Sequence, residues 1–228
     1  MVYFPVDLLK HHPVVSSQDK INLKTRLHKR FPAVMDAGNR GTSGMRGDVI
    51  EAAFYLMLMW VVEIIDQSIF IPLDYFGVHP RSQGLMAFIG IVAHAFLHGD
   101  MKHLVGNTIG YIPSAILVIT ACPGRFGWIF WGITLIAGGG IWLVGAPGSV
   151  HVGASGLVFG LIGFAIFCCI WMPTIFYGII TGLTVALFMG ILPGMLPIVE
   201  QGVSWEGHAF GFLGGAIMSF LIIANKKR

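Results

Sequence analysis

Charge is what this sequence is short of. Only 11% of its 228 residues are Asp, Glu, Lys or Arg, against 55% hydrophobic, and the mean hydropathy is +0.78. A soluble domain carries roughly 25% charged residues, so a water-soluble core is excluded as the main architecture. Cysteine is scarce as well. Of Cys122, Cys168 and Cys169, the last two are adjacent within an apolar run, which argues against a disulfide framework or a thiolate metal site. There is no H-E-x-x-H pair, no internal repeat and no low-complexity linker, and residues 1–50 contain no signal-peptide apolar core. Alternating segments of ~10 residues, the mark of a membrane barrel, are missing too.

What the chain does have is continuous apolar runs, and a lipid-spanning chain must satisfy its backbone as helices. Six runs approach the ~20 residues that a spanning helix needs, at about 52–72, 103–121, 126–146, 154–172, 174–193 and 205–224. A seventh, "GLMAFIGIVAHAFL" at 84–97, suits an interfacial or re-entrant segment better. The expected fold is therefore all-α, a polytopic bundle of six transmembrane helices.

The distribution of positive charge fixes the expected orientation. Eight of the 14 Lys and Arg residues precede the first span, and Lys226, Lys227 and Arg228 end the sequence. By the positive-inside rule both ends lie in the cytoplasm, which requires an even number of spans. Arg125 then also falls inside, and only Arg81 and Lys102 fall outside. Residues 1–50 read as a basic cytoplasmic tail, in which 20–31 could form a surface helix on anionic lipid. Residues 51–225 read as the membrane domain, with 73–102 a partly interfacial first loop.

This topology brings a few polar residues to one depth. His103 and Asn107 stand four apart near the outer end of the second span, Ser155 starts the fourth and His208 lies just inside the sixth. Four residues are about 6 Å of helix and share a face. Serine is a weak nucleophile that needs a base beside it, usually histidine. The N-terminus of the fourth span would favour a developing oxyanion. Gly156 with Gly160, and Gly211 with Gly215, form small-xxx-small pairs that let helix backbones approach. Taken singly, "GASG" also suits plain helix packing, and Asn107 or His208 also suits an interhelical hydrogen bond. "GASGL" is not the nucleophile elbow of soluble hydrolases, since Leu157 stands where that motif has glycine.

The row "HAFLHGDMKHLVGN" holds His94, His98 and His103 and raises a zinc site. Gly99–Asp100 would break a helix between them, and no second ligand pair follows, so no metal is expected. Glu63 and Asp66, within the first span, face a polar interior or cap a shortened helix.

"HAFLHGDMKHLVGN", "GASGLVFG" and "GHAFGFLGG", in that order and on those spans, resemble the rhomboid family of intramembrane serine proteases. The resemblance covers about residues 52–224. It implies Ser155 as nucleophile and His208 as general base, a dyad without a carboxylate. It implies His103 and Asn107, with the Ser155 backbone N–H, as oxyanion stabilisers. Phe159 would stack on the base, and His94 and His98 would organise structure or water. The Trp-Arg pair of many members is absent from the first loop, where "HPR" (79–81) stands, and Gly207 replaces the alanine that often precedes the base. The expected protein is thus a serine-type endopeptidase of multi-pass form in a bacterial plasma membrane. It would need no cofactor and would act on single-span or polytopic membrane proteins in the lipid bilayer, not on nucleic acid. Substrate would enter beside span five and the loop 194–204. A non-enzymatic binder of membrane clients and a zinc hydrolase built on the histidine row are the competing readings.

Overall fold

The computed structural model describes Gln18, Ile21, Thr25 and residues 32–68, 72–197 and 202–223, with backbone alone for 32–41. The chain divides into two compact units, residues 1–42 and 43–228. In the first, Thr25 Oγ1 donates to Ile21 O at 2.9 Å; the other residues of the basic stretch 20–31 lie outside the described residues. The second unit begins at Ser43, and Asp48, ahead of residue 51, is hydrogen-bonded within it.

Among the described residues from Pro32 on, seven α-helices follow one another. They are α1 (Pro32–Asp66), α2 (Leu85–Ala93), α3 (Met101–Ala121), α4 (Phe126–Val144), α5 (Ser155–Trp171), α6 (Ile175–Phe188) and α7 (Trp205–Ile223). Short 3-10 turns occupy Leu73–Phe76, His94–Phe96 and Leu192–Met195. Among the described residues the only β pairing is an isolated bridge between Val78 and His151.

The helix ends have identifiable causes. Asp100 opens α3, accepting from His103 N at 2.7 Å, and Thr174 opens α6, accepting from Tyr177 N at 3.3 Å. Each satisfies a first-turn N–H that a helix leaves unbonded. The start of α4 is closed from another element. Asp48 of α1 accepts from Gly124 N at 2.6 Å and Phe126 N at 3.1 Å. Helix α1 stops at Asp66, short of the expected residue 72, and the Asp66 carboxylate accepts the Leu73 N–H beyond the turn. The fifth run also ends early. Helix α6 closes at Phe188 instead of 193, and Pro193 sits inside the 3-10 turn that follows.

Helix α5 is the centre. Its residues from Gly156 through Ala165 are all buried, as expected of a helix that is apolar on every side. Helices α3, α4, α6 and α7 pack around it, α7 most closely. Outside, large apolar side chains stand free, among them Ile109, Trp128 and Ile175, an outer surface suited to lipid. By length and apolarity α3, α4 and α7 can each cross a membrane, whereas α5 and α6 are apolar but have 17 and 14 residues.

The α5–α7 contact is made by glycine. A Cβ on Gly211 would collide with the carbonyl oxygen of Gly156, and one on Gly215 with that of Gly160. A Cβ on Gly160 would itself lie 2.8 Å from Gly211 O. The two backbones touch directly, which places the first turns of α5 and α7 side by side.

Candidate functional site

The starts of α5 and α7 carry Ser155 and His208, half-buried and buried respectively. The His208 ring is held on two sides. Phe159, one turn beyond Ser155, stacks on it with centroids 4.2 Å apart and planes 19° apart. Its Nδ1 lies 2.9 Å from Gly194 O, in the 3-10 turn after α6. A carbonyl can only accept, so Nδ1 carries the proton and Nε2 presents a lone pair. Among the described residues the Ser155 hydroxyl makes no hydrogen bond, a resting arrangement common before substrate arrives.

The chain leading into Ser155 is laid over the histidine row. Gly153 N donates to His94 O at 2.9 Å, and Ala154 N reaches His98 Nε2 at 3.4 Å. Gly153 has φ +116°, open to glycine and rarely to other residues. It also has no room for a side chain. A Cβ there would lie 2.7 Å from His103 Nε2 and 3.4 Å from Asn107 Nδ2. His103 and Asn107 thus converge two residues before Ser155. Asn107 Nδ2 is buried with no hydrogen-bond partner, an amide donor that costs free energy unless something accepts from it.

His94 and His98 line the first loop as neutral rings, each pushed down to about 4, chiefly by burial. His94 Nδ1 donates to Ile91 O at 3.1 Å, and its ring fits against Gly138 of α4. His98 and His103 meet edge to face at 5.3 Å. Among the described residues no group of three or more His, Cys, Asp or Glu side chains could hold a metal ion.

Three partners had not been singled out from the sequence. Gly194 holds the ring of His208 through its main chain, which leaves no side-chain signal. His151 and Ser204 bond to each other at 2.8 Å. Their only sequence trace is that each stands four residues before Ser155 and His208 in turn. The "HPR" segment is also fixed. Arg81 N donates to Trp142 O, and Trp142 Nε1 returns a bond to Ser82 O, both at 2.9 Å.

A family model, the rhomboid domain, matches residues 86–225, which takes in every residue just described from Ile91 to His208. The chain belongs to the rhomboid family. It is similar to protein Rv1337 of Mycobacterium tuberculosis, 34% identical over 183 residues that cover 76% of this chain and 75% of that one. It is also similar to ML1171 of Mycobacterium leprae, 30% identical over 197 residues, 83% and 77% of the two chains. The Bacillus subtilis protein YdcA, whose name carries the word rhomboid, is 27% identical over 144 residues, 60% and 69% of the two. Membership implies intramembrane proteolysis, and with the apolar helices it makes this rhomboid an integral membrane protein.

Proposed function

We propose that this rhomboid is a serine endopeptidase that hydrolyses peptide bonds in or near the transmembrane helices of other membrane proteins, with Ser155 and His208 as its dyad. The observation that carries the reading is the bond from His208 Nδ1 to Gly194 O, which leaves Nε2 unprotonated on the ring that Phe159 stacks against. In the acylation step Nε2 takes the proton from Ser155 Oγ as Oγ attacks the substrate carbonyl carbon. The negative charge moves to the carbonyl oxygen, toward Asn107 Nδ2, His103 and the Ser155 N–H. Collapse breaks the C–N bond, and the imidazolium returns its proton to the leaving amine. Water then repeats the sequence on the acyl-enzyme, with His208 again as base.

In this reading the bundle has six spans with both ends in the cytoplasm of a bacterium, and the site opens toward the outer face. Substrate helices approach beside α6 and the segment 194–204, of which residues 198–201 lie outside the described residues. Such a helix must unwind locally to expose its peptide bond, since helical carbonyls are already bonded. The test is cleavage of a single-span substrate in liposomes. Ser155→Ala and His208→Ala should each abolish it, and a fluorophosphonate should label Ser155 in the unaltered chain. Cleavage that persists in Ser155→Ala would overturn the reading.

A further inference from the structure

Outward of the dyad lies a second, smaller pairing between the same two segments. His151 stands four residues before Ser155, and Ser204 four before His208. Their side chains meet at Nδ1 and Oγ, 2.8 Å apart. Each is tied to its own catalytic neighbour by rigid chain. Ser204 caps α7: its carbonyl accepts from His208 N and its hydroxyl from Gly207 N, both at 3.2 Å. On the other side, His151 exchanges two backbone bonds with Val78, at 2.9 and 3.0 Å. Gly153 and Ala154 are then bonded to His94 and His98 before the helix begins.

The hydrogen-bond roles can be assigned by elimination. Ser149 Oγ donates to Ala146 O at 2.6 Å, so it must accept from His151 Nε2–H at 2.7 Å. The neutral ring then has its lone pair on Nδ1 and accepts from the Ser204 hydroxyl. Glu206 Oε2, at 3.4 Å from Ser204 Oγ, is a weaker second acceptor. Among the described residues this is the one side-chain hydrogen bond joining the beginnings of α5 and α7. Trp171 Nε1 to Ser219 Oγ, at 2.9 Å, joins their far ends.

We propose that His151 and Ser204 form a clasp that fixes the separation of Ser155 and His208, and that both are positioning residues for the hydrolysis. The inference rests on the dyad reading above. Near the dyad, α5 and α7 meet through glycine on backbone and the Phe159–His208 stack, neither of which is a directed bond that fixes register. A single directed bond next to the reacting pair fixes it, where displacement by 1 Å can cost ~100-fold in rate.

The test exploits the two ring nitrogens. His151→Asn keeps an acceptor at the δ position facing Ser204, and His151→Gln keeps only a group at the ε position facing Ser149. The backbone bonds to Val78 remain in both, and thermal unfolding in detergent checks that both fold. We expect His151→Gln and His151→Phe to lower kcat by ~10–100-fold with KM within about twofold, and His151→Asn to stay within about threefold of the unaltered protein. Fluorophosphonate labelling of Ser155 should slow in the same order. Ser204→Ala also loses the cap bond from Gly207 N, so His151→Phe should add no further loss to Ser204→Ala, because the bond it removes is already gone. The clasp is overturned if His151→Gln keeps full kcat, if Asn performs no better than Gln, if the loss falls wholly in KM, or if the two losses multiply. Ser155→Ala runs alongside. Cleavage by that variant sinks the dyad reading itself, whereas an inactive Ser155→Ala beside an unimpaired His151→Gln removes the clasp alone.

Discussion

Phe159 covers one face of His208 at 4.2 Å, almost parallel, one helical turn along from Ser155. A ring placed so keeps the imidazole plane fixed while its proton moves, and an aromatic pair of this kind contributes ~0.5–1.5 kcal/mol beyond its buried area. Phe159→Leu, which keeps bulk without a π face, should lower kcat by ~2–10-fold, and Phe159→Tyr should lower it less. Steady-state cleavage in liposomes separates the two.

Asn107 gives a sharper prediction, because catalysis and stability should part company. Asn107→Ala deletes a buried donor that has no partner in the resting protein. Losing one oxyanion donor costs ~10²–10³ in kcat, while losing an unsatisfied donor should leave the unfolding temperature unchanged or raised. A fall in both would place Asn107 in the packing alone.

The glycine contact between α5 and α7 predicts a contrast among substitutions. Gly211→Ala and Gly215→Ala drive a methyl into a backbone carbonyl of α5, and overpacking of this kind costs ~1–3 kcal/mol. Gly178→Ala and Gly182→Ala on α6 meet nothing within 4 Å and should be tolerated. Unfolding in detergent and cleavage should fall together for the first pair and for neither of the second.

Asp48→Ala should destabilise without touching the chemistry. It strips the acceptor from Gly124 N and Phe126 N, with a cap loss of ~0.5–2 kcal/mol. That end of α4, at Phe126, lies ~18 Å of helix from Gly138, where α4 packs on the histidine row. Unfolding temperature should drop while kcat at a permissive temperature holds.

Asp74 should contribute stability that is greatest in acid. Burial, with the neighbouring Asp66 and Glu63, holds the Asp74 carboxyl up at about 6. A carboxyl that binds its proton more tightly when folded stabilises fully below its unfolded value and loses that contribution as pH rises through the folded one. His94 and His98, held down at about 4, act in the opposite sense over the same range, so the Asp74 contribution is read as a difference: relative to Asp74→Asn, the unaltered protein should lose unfolding temperature as pH rises from about 4 to 7. An unchanged difference across that range would rule Asp74 out as its source.

Four of the apolar runs could be bounded from sequence to within about two residues. They end where a cap, a glycine or a polar loop interrupts a run whose burial is set by composition alone, as at Asp100 before α3. The end of α1 could not be placed this way, because the apolar residues continue past Asp66 and the stop is made by a carboxylate reaching across the turn to Leu73. The end of α6 had a visible signal in Pro193, but the sequence gives no measure of how far before it the helix unwinds. At the candidate site, Ser155, His208, His103 and Asn107 could be named as candidates, because serine, histidine and asparagine are rare in such runs. Gly194 could not, since its contribution is a carbonyl that every residue possesses. The pairing of His151 with Ser204 required knowing that two helices begin side by side.

That carbonyl has a consequence for how the base can be controlled. The proton on His208 is located by the path of the main chain through Leu192–Met195, so no single substitution deletes its partner. The same turn directly follows α6. A displacement of that turn by 1 Å would stretch the 2.9 Å bond beyond hydrogen-bonding range and free the ring to take either tautomer. Whatever wedges the turn outward, whether a lipid tail, a passing helix or a small hydrophobic compound, thereby retunes basicity from a distance. With His208 as the proposed base, an inhibitor could act at this turn without touching Ser155.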